Sequence, residues 1–136
     1  MILCDSGPLV ALLDSGDVHH GTCVAAAATL APRGMLTTHA CLTEAMYLLH
    51  RTGGWQPQEA LWRYVTDGTL RVHVPRTEEL DRMLALMRKY SDTPMDFADA
   101  SLVAASETLE QRRVFTTDSH FYVYRQKQGK AFEVVP

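Results

Sequence analysis

The sequence has few cysteines and no arrangement of them that is typical of a zinc site or a disulfide framework. The three cysteines, Cys4, Cys23 and Cys41, are odd in number, and none belongs to a Cys-x-x-Cys pair. Because 46% of the 136 residues are hydrophobic, the chain can bury a core without disulfide bonds. We therefore expect reduced thiols in one compact domain, residues 1–136.

Long apolar runs are also missing. The longest, around residues 23–31, is too short to span a lipid bilayer. The first five residues lack a basic segment and include Asp5, so we expect no signal peptide. These absences predict a soluble, cytoplasmic protein without a membrane partner.

There is no excess of positive charge and no common nucleotide-binding or hydrolase motif. The glycines form neither a Walker loop nor a dinucleotide fingerprint, and no G-x-S-x-G sequence is present. A net charge of −3 by itself argues weakly against a nucleic-acid partner. If five of the acids bind a metal ion, however, the remaining residues carry +2, so the net charge does not decide the question.

What the sequence does contain is a regular alternation of strand and helix patterns. Short apolar or alternating runs predict strands at 1–4, 35–38, 70–74, 114–117 and 132–135. Helical patterns occupy 8–13, 19–30, 40–51, 57–66, 77–90 and 97–109. This alternation predicts the α/β class, as a three-layer α/β/α sandwich on a mainly parallel central sheet. Ligands of such sheets bind beyond the carboxyl ends of the strands.

Acidic residues occur at or near those carboxyl ends. Asp5 directly follows the first predicted strand, and Asp118 directly follows the fourth. Glu44 lies one to two turns into the helix after the second strand, and Asp99 lies near the start of the last helix. Carboxylates that converge repel one another, and a divalent cation removes that cost. Because Mg²⁺ and Mn²⁺ prefer carboxylate oxygens, the pattern favours a site for one of these ions.

Each acid also has a simpler interpretation. Asp5 could cap the following helix, Asp118 could be a turn residue, and Glu44 could lie on a solvated helix face. Asp99 has only apolar or small neighbours and no nearby Lys or Arg in sequence, so it fits such an interpretation least well. Asp96 shares a helix face with Asp99 and is either an outer metal ligand or the helix N-cap.

The segments that contain these acids match a known family in order, spacing and total length. They are Met1–Leu13, Leu42–Glu44, Asp96–Ala105 and Phe115–Asp118. At these residues the sequence resembles the PIN-domain ribonucleases and, within them, the VapC-type toxins of toxin–antitoxin pairs. The resemblance covers nearly the whole chain.

The resemblance implies a PIN-like fold and a metal-dependent endoribonuclease. It further implies an Mg²⁺ or Mn²⁺ cofactor, a cognate antitoxin protein, a homodimer, and a transfer, ribosomal or messenger RNA substrate. Carried onto this sequence, the metal-site acids are Asp5, Glu44, Asp99 and Asp118, with Asp96 assisting. The small hydroxyl residues beside the first and last of these acids, Ser6 and Thr117, are the expected supports.

Two further segments are candidates for contacts with partners. Arg125 and Lys127 lie close to Tyr122 and Tyr124, and cations with aromatic rings suit RNA phosphates and bases. The helices between His39 and Thr66 carry two tryptophans, Trp55 and Trp62, which could supply a dimer or antitoxin surface.

Two alternative functions remain open. A metal-dependent phosphatase on a similar sheet would often use an Asp nucleophile in a D-x-D sequence, but position 7 is Gly. A non-catalytic PIN-like module that binds RNA or protein would be expected to have lost some of the acids, and this chain retains them.

Overall fold

The computed structural model describes all residues, 1–136, and shows one five-stranded sheet in the order β3-β2-β1-β4-β5. All four pairs of neighbouring strands are parallel. The strands are β1 (Ile2–Cys4), β2 (Met35–Thr38), β3 (Leu70–His73), β4 (Arg113–Phe115) and β5 (Glu133–Val135). The helices are α1 (Ser6–Leu13), α2 (His20–Leu30), α3 (His39–Gly53), α4 (Trp55–Thr66), α5 (Thr77–Lys89) and α6 (Phe97–Thr108).

The predicted α/β/α class is confirmed, and the sheet is wholly rather than mainly parallel. The element boundaries differ by a few residues. Helix α1 begins at Ser6, two residues before its predicted start at Pro8, because the Asp5 side chain accepts the Ser6 N–H and caps the helix. Strand β4 ends at Phe115 rather than Thr117, so Asp118 stands three residues beyond the strand.

Helices cover both faces of the sheet, and a separate apolar core lies between the sheet and the helices on each face. On one face, side chains of α1 to α4 such as Leu9, Ala45 and Leu61 pack against Ile2 and Cys4. On the other face, α5, α6 and the aromatic residues of the C-terminal segment pack against Leu3. Because successive side chains of β1 point to opposite faces, this three-residue strand contributes to both cores.

The strand order places β1 between β2 and β4, and the register fixes what lies at its carboxyl end. The chain leaves β1 towards β2 on one side and returns to β4 on the other, which makes the gap between β1 and β4 the topological switch point. Cys4 pairs with Phe115, so the residues that follow them, Asp5 and Thr116, lie side by side. No helix combines the length and the apolar character needed to cross a membrane.

Candidate metal centre

Three carboxylates converge at the switch point of the sheet. Carboxylate oxygens of Asp5, Asp99 and Asp118 all lie within 4.8 Å of one another. Asp5 and Asp99 are buried, with 5% and 6% of their surface exposed, and Asp118 is half-buried. The three acids come from the loop after β1, the first turn of α6 and the loop after β4, which are far apart in sequence.

Asp5 is held by groups from the start of α1 and from the loop after β4. Its Oδ1 accepts the Ser6 backbone N–H at 2.7 Å, and its Oδ2 accepts the Thr116 hydroxyl at 2.8 Å. The Cys41 thiol lies 3.9 Å from the same Oδ1. The carboxylate that sequence analysis assigned to either a cap or a metal site is therefore the N-cap of α1 and also a member of the acidic cluster.

Asp99 takes part in a reciprocal pair of hydrogen bonds at the start of α6. The Asp99 N–H donates to Asp96 Oδ1 at 2.8 Å, and the Asp96 N–H donates to Asp99 Oδ2 at 3.2 Å. This capping box fixes the first turn of the helix. The N-cap role of Asp96 is thus present in the structure, and its role as an outer metal ligand stays a prediction. Asp99 Oδ2 also accepts the hydroxyl of Tyr124 at 3.3 Å.

Asp118 is oriented by the residues that follow it. Its Oδ1 accepts the His120 backbone N–H at 2.9 Å and lies 2.7 Å from His120 Nδ1. The Asp118 N–H donates to the Thr116 hydroxyl at 3.0 Å, so one hydroxyl contacts both Asp5 and Asp118. The supporting hydroxyl expected from the sequence is that of the neighbouring Thr117. Thr117 Oγ1 instead faces Gly7, where a side-chain Cβ would lie only 2.8 Å away.

Glu44 reaches the cluster through Ser6. The Ser6 hydroxyl donates to Glu44 Oε1 at 2.8 Å and lies 3.5 Å from Asp5 Oδ1. Glu44 is half-buried on the second turn of α3, and its carboxylate is outside the set of three oxygens that lie within 4.8 Å. The structure therefore places four predicted acids at one end of the sheet, three in mutual contact range and the fourth behind a serine hydroxyl.

Burial and the charges of neighbouring acids raise the pKa of Asp5 and of Asp99. Burial, followed by the nearby charges of Glu44 and Asp118, raises the pKa of Asp5 to about 6. Burial and the charges of Asp96, Asp5 and Asp118 raise the pKa of Asp99 to about 7. No Lys or Arg forms an ion pair with Asp5, Asp99 or Asp118, and His120 is the one basic side chain that contacts the cluster.

This donor set fits a hard divalent cation. It offers carboxylate oxygens only, it is largely buried, and its negative charge is not neutralised by the protein. Mg²⁺ and Mn²⁺ are bound in this way, through a few carboxylates with water filling the other positions. The cluster could therefore hold such an ion, and Asp5, Asp99 and Asp118 are the residues that would contact it.

A cleft of about 630 Å³ opens beside the acids, between α3, α5 and the start of α6. Glu44 and Asp96 line its wall. Two aromatic side chains that line the same cleft, Tyr47 and Phe97, are exposed to solvent. Of the predicted acids, Glu44 and Asp96 line this cleft, and Asp5, Asp99 and Asp118 do not.

The segment predicted to contact RNA lies mostly away from this cleft. Tyr122 is 62% exposed, but Tyr124 is completely buried, so the idea that Tyr124 stacks on a base is wrong. The Arg125 guanidinium donates to the carbonyl oxygens of Tyr122 and Tyr124. The Lys127 backbone N–H donates to Glu107, which lies two turns along α6 from Asp99.

The fold is similar to that of solved toxin structures. VapC20 of Mycobacterium tuberculosis, a Sarcin-Ricin loop cleaving toxin, matches with a TM-score of 0.80 at 21% identity, over 87% of this chain and 90% of that chain. VapBC2 from Rickettsia felis, bound to a promoter DNA fragment, matches with a TM-score of 0.73 at 12% identity over all of both chains. A toxin–antitoxin complex from Klebsiella pneumoniae matches with a TM-score of 0.69 at 15% identity, over 100% of this chain and 97% of that chain.

No model of a known protein family matches the sequence, and no curated protein matches it. At these levels of identity the structural likeness establishes the fold. The chain has the PIN-like α/β/α fold that VapC-type toxins adopt.

Proposed function

We propose that residues 1–136 form a single PIN-like nuclease domain that cleaves RNA phosphodiester bonds with the help of Mg²⁺ or Mn²⁺. The observation that carries the proposal is the cluster of Asp5, Asp99 and Asp118, whose oxygens lie within 4.8 Å at the switch point of the sheet. Glu44, joined to the cluster through Ser6, completes the catalytic set that the family resemblance implies.

A divalent ion at this site would activate a water molecule and stabilise the charge that builds up on the phosphodiester. Hydrogen bonds from neighbouring residues fix the orientation of the carboxylates. Thr116 restrains Asp5 and the backbone of Asp118, and His120 restrains the Asp118 side chain. Because a metal-activated water would be the attacking group, no protein nucleophile is required.

The surroundings of the acids suit a single-stranded or looped RNA. Exposed aromatic rings at Tyr47 and Phe97 offer stacking surfaces for bases next to the carboxylates. Arg125 and Lys127 remain the proposed contacts to more distant phosphates. The similar M. tuberculosis protein is a Sarcin-Ricin loop cleaving toxin, which makes a ribosomal RNA loop the first substrate to test.

We further propose that the chain is the cytoplasmic toxin of a toxin–antitoxin pair and acts as a homodimer. Two of the similar structures are toxin–antitoxin assemblies. Trp55 and Trp62 are large apolar side chains exposed on α4, and they supply a candidate surface for the antitoxin or the second subunit.

The test is cleavage of a labelled ribosomal RNA loop with Mg²⁺ or Mn²⁺, compared among the wild-type protein, Asp5→Asn and Asp99→Asn. Cleavage by the wild-type protein that both variants lose supports the proposal, and equal cleavage by all three rejects the assigned site. Metal binding without cleavage of any RNA would favour a non-catalytic module. A trapped phosphoenzyme would favour a phosphatase.

A further inference from the structure

Tyr124 is a buried tyrosine whose hydroxyl points at one oxygen of the acidic cluster. The hydroxyl donates to Asp99 Oδ2 at 3.3 Å, and none of the Tyr124 surface is exposed. Nothing in the sequence distinguishes this residue from the exposed Tyr122 two positions earlier. Its contact with Asp99 arises only when the C-terminal segment folds against α6.

The ring of Tyr124 cannot easily turn away from Asp99. It packs edge-to-face against Tyr90 and Phe121, with ring centroids 5.2 Å apart in both pairs. On a third side it stacks on His120, with ring centroids 6.3 Å apart and an angle of 26° between the ring planes. His120 in turn contacts Asp118. The Tyr124 ring therefore packs against His120, the residue that orients Asp118.

In Asp99 and Asp118, the hydrogen bonds from the protein fall on only one of the two carboxylate oxygens. Asp99 Oδ2 accepts both the Asp96 N–H and the Tyr124 hydroxyl, and Asp99 Oδ1 accepts no hydrogen bond from the protein. Likewise, Asp118 Oδ1 accepts both bonds from His120, and Asp118 Oδ2 accepts none. Asp99 and Asp118 are therefore each held by one oxygen, and the other oxygen of each is available to a cation, whereas both oxygens of Asp5 accept hydrogen bonds.

We propose that Tyr124 is a positioning residue, which fixes the Asp99 carboxylate so that Oδ1 is the oxygen offered to a divalent cation. The proposal rests on the metal-binding role given to the cluster above. Hydrogen bonds from outer residues to metal-ligating carboxylates orient the ligand, and their loss commonly weakens metal binding by about 10-fold or more. Without the Tyr124 hydroxyl, Asp99 keeps only the bond from Asp96, and the carboxylate can rotate.

The experiment compares Tyr124→Phe with Tyr90→Phe by calorimetric titration of the full chain with Mn²⁺. Both changes remove one hydroxyl from the same aromatic cluster, but the Tyr90 hydroxyl accepts the Arg125 N–H and does not contact an acid. We expect Tyr124→Phe to bind Mn²⁺ about 10-fold more weakly than the wild-type protein. Tyr90→Phe should bind it with wild-type affinity.

A second measurement separates positioning from general support of the fold. The melting temperature without metal should be similar in the two variants, and the electron paramagnetic resonance spectrum of bound Mn²⁺ should change only in Tyr124→Phe. Equal affinity in Tyr124→Phe and the wild-type protein, or an equal loss in Tyr90→Phe, would overturn the positioning role alone. Failure of the wild-type protein to bind Mn²⁺ would overturn the metal centre itself.

Discussion

Helix α6 carries one carboxylate near each end, and the two have opposite surroundings. Near its C-terminus, Glu107 accepts two hydrogen bonds from the Arg82 guanidinium, at 2.8 and 2.9 Å, and a third from the Lys127 N–H. In its first turn, Asp99 lies among other acids, without a Lys or Arg partner, and its pKa is raised to about 7. The protein supplies a basic partner to Glu107 and none to Asp99.

We interpret Glu107 as a structural carboxylate and Asp99 as the proposed metal ligand. Removal of one partner from a partly buried charge pair destabilises the fold, because it leaves an uncompensated charge. A group of like charges held together without a cation lowers the stability of the fold and persists when a ligand relieves the repulsion. If this interpretation is right, matched amide substitutions at Asp99 and Glu107 should have opposite consequences.

The largest expected effect is on RNA cleavage. Asp99→Asn should lower the rate at least about 100-fold, because it removes a proposed metal ligand. Glu107→Gln should leave the rate unchanged, since Glu107 is remote from the cluster. The rates are measured with a labelled RNA loop at saturating Mg²⁺. A large loss in Glu107→Gln, or full activity in Asp99→Asn, would contradict the division of roles along α6.

The second effect is on the free energy of unfolding, which should change in opposite directions in the two variants. Glu107→Gln should destabilise the metal-free protein by about 2–4 kcal/mol, because Arg82 loses its charged partner. Asp99→Asn should instead stabilise it by about 1–2 kcal/mol at neutral pH, because one buried charge is removed. Urea unfolding monitored by tryptophan fluorescence measures both values. Destabilisation of similar size in the two variants would show that Asp99 is as well compensated as Glu107.

A divalent metal ion should stabilise the wild-type protein against unfolding and should stabilise Asp99→Asn much less. At 100 times the dissociation constant, bound Mg²⁺ or Mn²⁺ should add about 2.7 kcal/mol to the free energy of unfolding. Glu107→Gln should show the same increment, and Asp99→Asn a much smaller one. Thermal unfolding with and without Mn²⁺ gives the comparison. Equal increments in Asp99→Asn and Glu107→Gln would place the metal elsewhere.

The dependence of stability on pH should follow from the raised pKa values. Asp5 and Asp99 have a pKa near 3.8 when unfolded and about 6 and about 7 when folded, so their stabilising contribution is complete below pH 4. It is lost as the pH rises through 6 and 7. Relative to Asp99→Asn, the metal-free wild-type protein should lose about 1–2 kcal/mol between pH 5 and 8, after allowance for solvent screening.

Urea midpoints at several pH values test this dependence, with Mn²⁺ at pH 8 as a second condition. The metal should restore the stability lost at high pH, since it replaces the proton as the counter-charge. Parallel pH profiles for the wild-type protein and Asp99→Asn would show that Asp99 does not titrate in this range.

The smallest expected effect concerns Lys127, whose backbone contacts Glu107. The Lys127 side chain is exposed and has no acidic partner, so Lys127→Gln should weaken RNA binding only a few-fold. The slope of log affinity against log salt concentration should fall by about 1. Fluorescence anisotropy at several salt concentrations measures this slope. An unchanged slope would remove Lys127 from the RNA contacts, while the proposals at the other end of the helix would stand.

Much of the fold could be predicted from local patterns. The alternation of apolar runs with helical patterns predicts a parallel α/β sheet, since short strands buried on both faces consist almost entirely of apolar residues. The position of acids after those runs predicts a site at the carboxyl edge, because parallel strands all end there. Glu44 was a candidate from its position near the same edge, and the resemblance of four ordered segments to the PIN-domain family supported it, because its place on a helix is less informative by itself.

Contacts within the site depended on strand register and on the path of the C-terminal segment. The pairing of Cys4 with Phe115 brings Thr116, rather than Thr117, against Asp5. A shift of one residue would have exchanged the two threonines. Tyr124 was assigned to RNA contact because it neighbours cations in sequence, yet it is buried against Asp99.

The sequence by itself determined the class of fold and the types of residue at the edge of the sheet, because hydrophobic periodicity and strand ends are local properties. Only the tertiary structure decided which acids lie within a few ångströms of one another and which carboxylate oxygens accept no hydrogen bond from the protein. It also decided which carboxylate of α6 pairs with an arginine. Those outcomes depend on distances between segments up to 113 residues apart, from Asp5 to Asp118. Electrostatic energies change with such distances, and local sequence patterns carry no information about them.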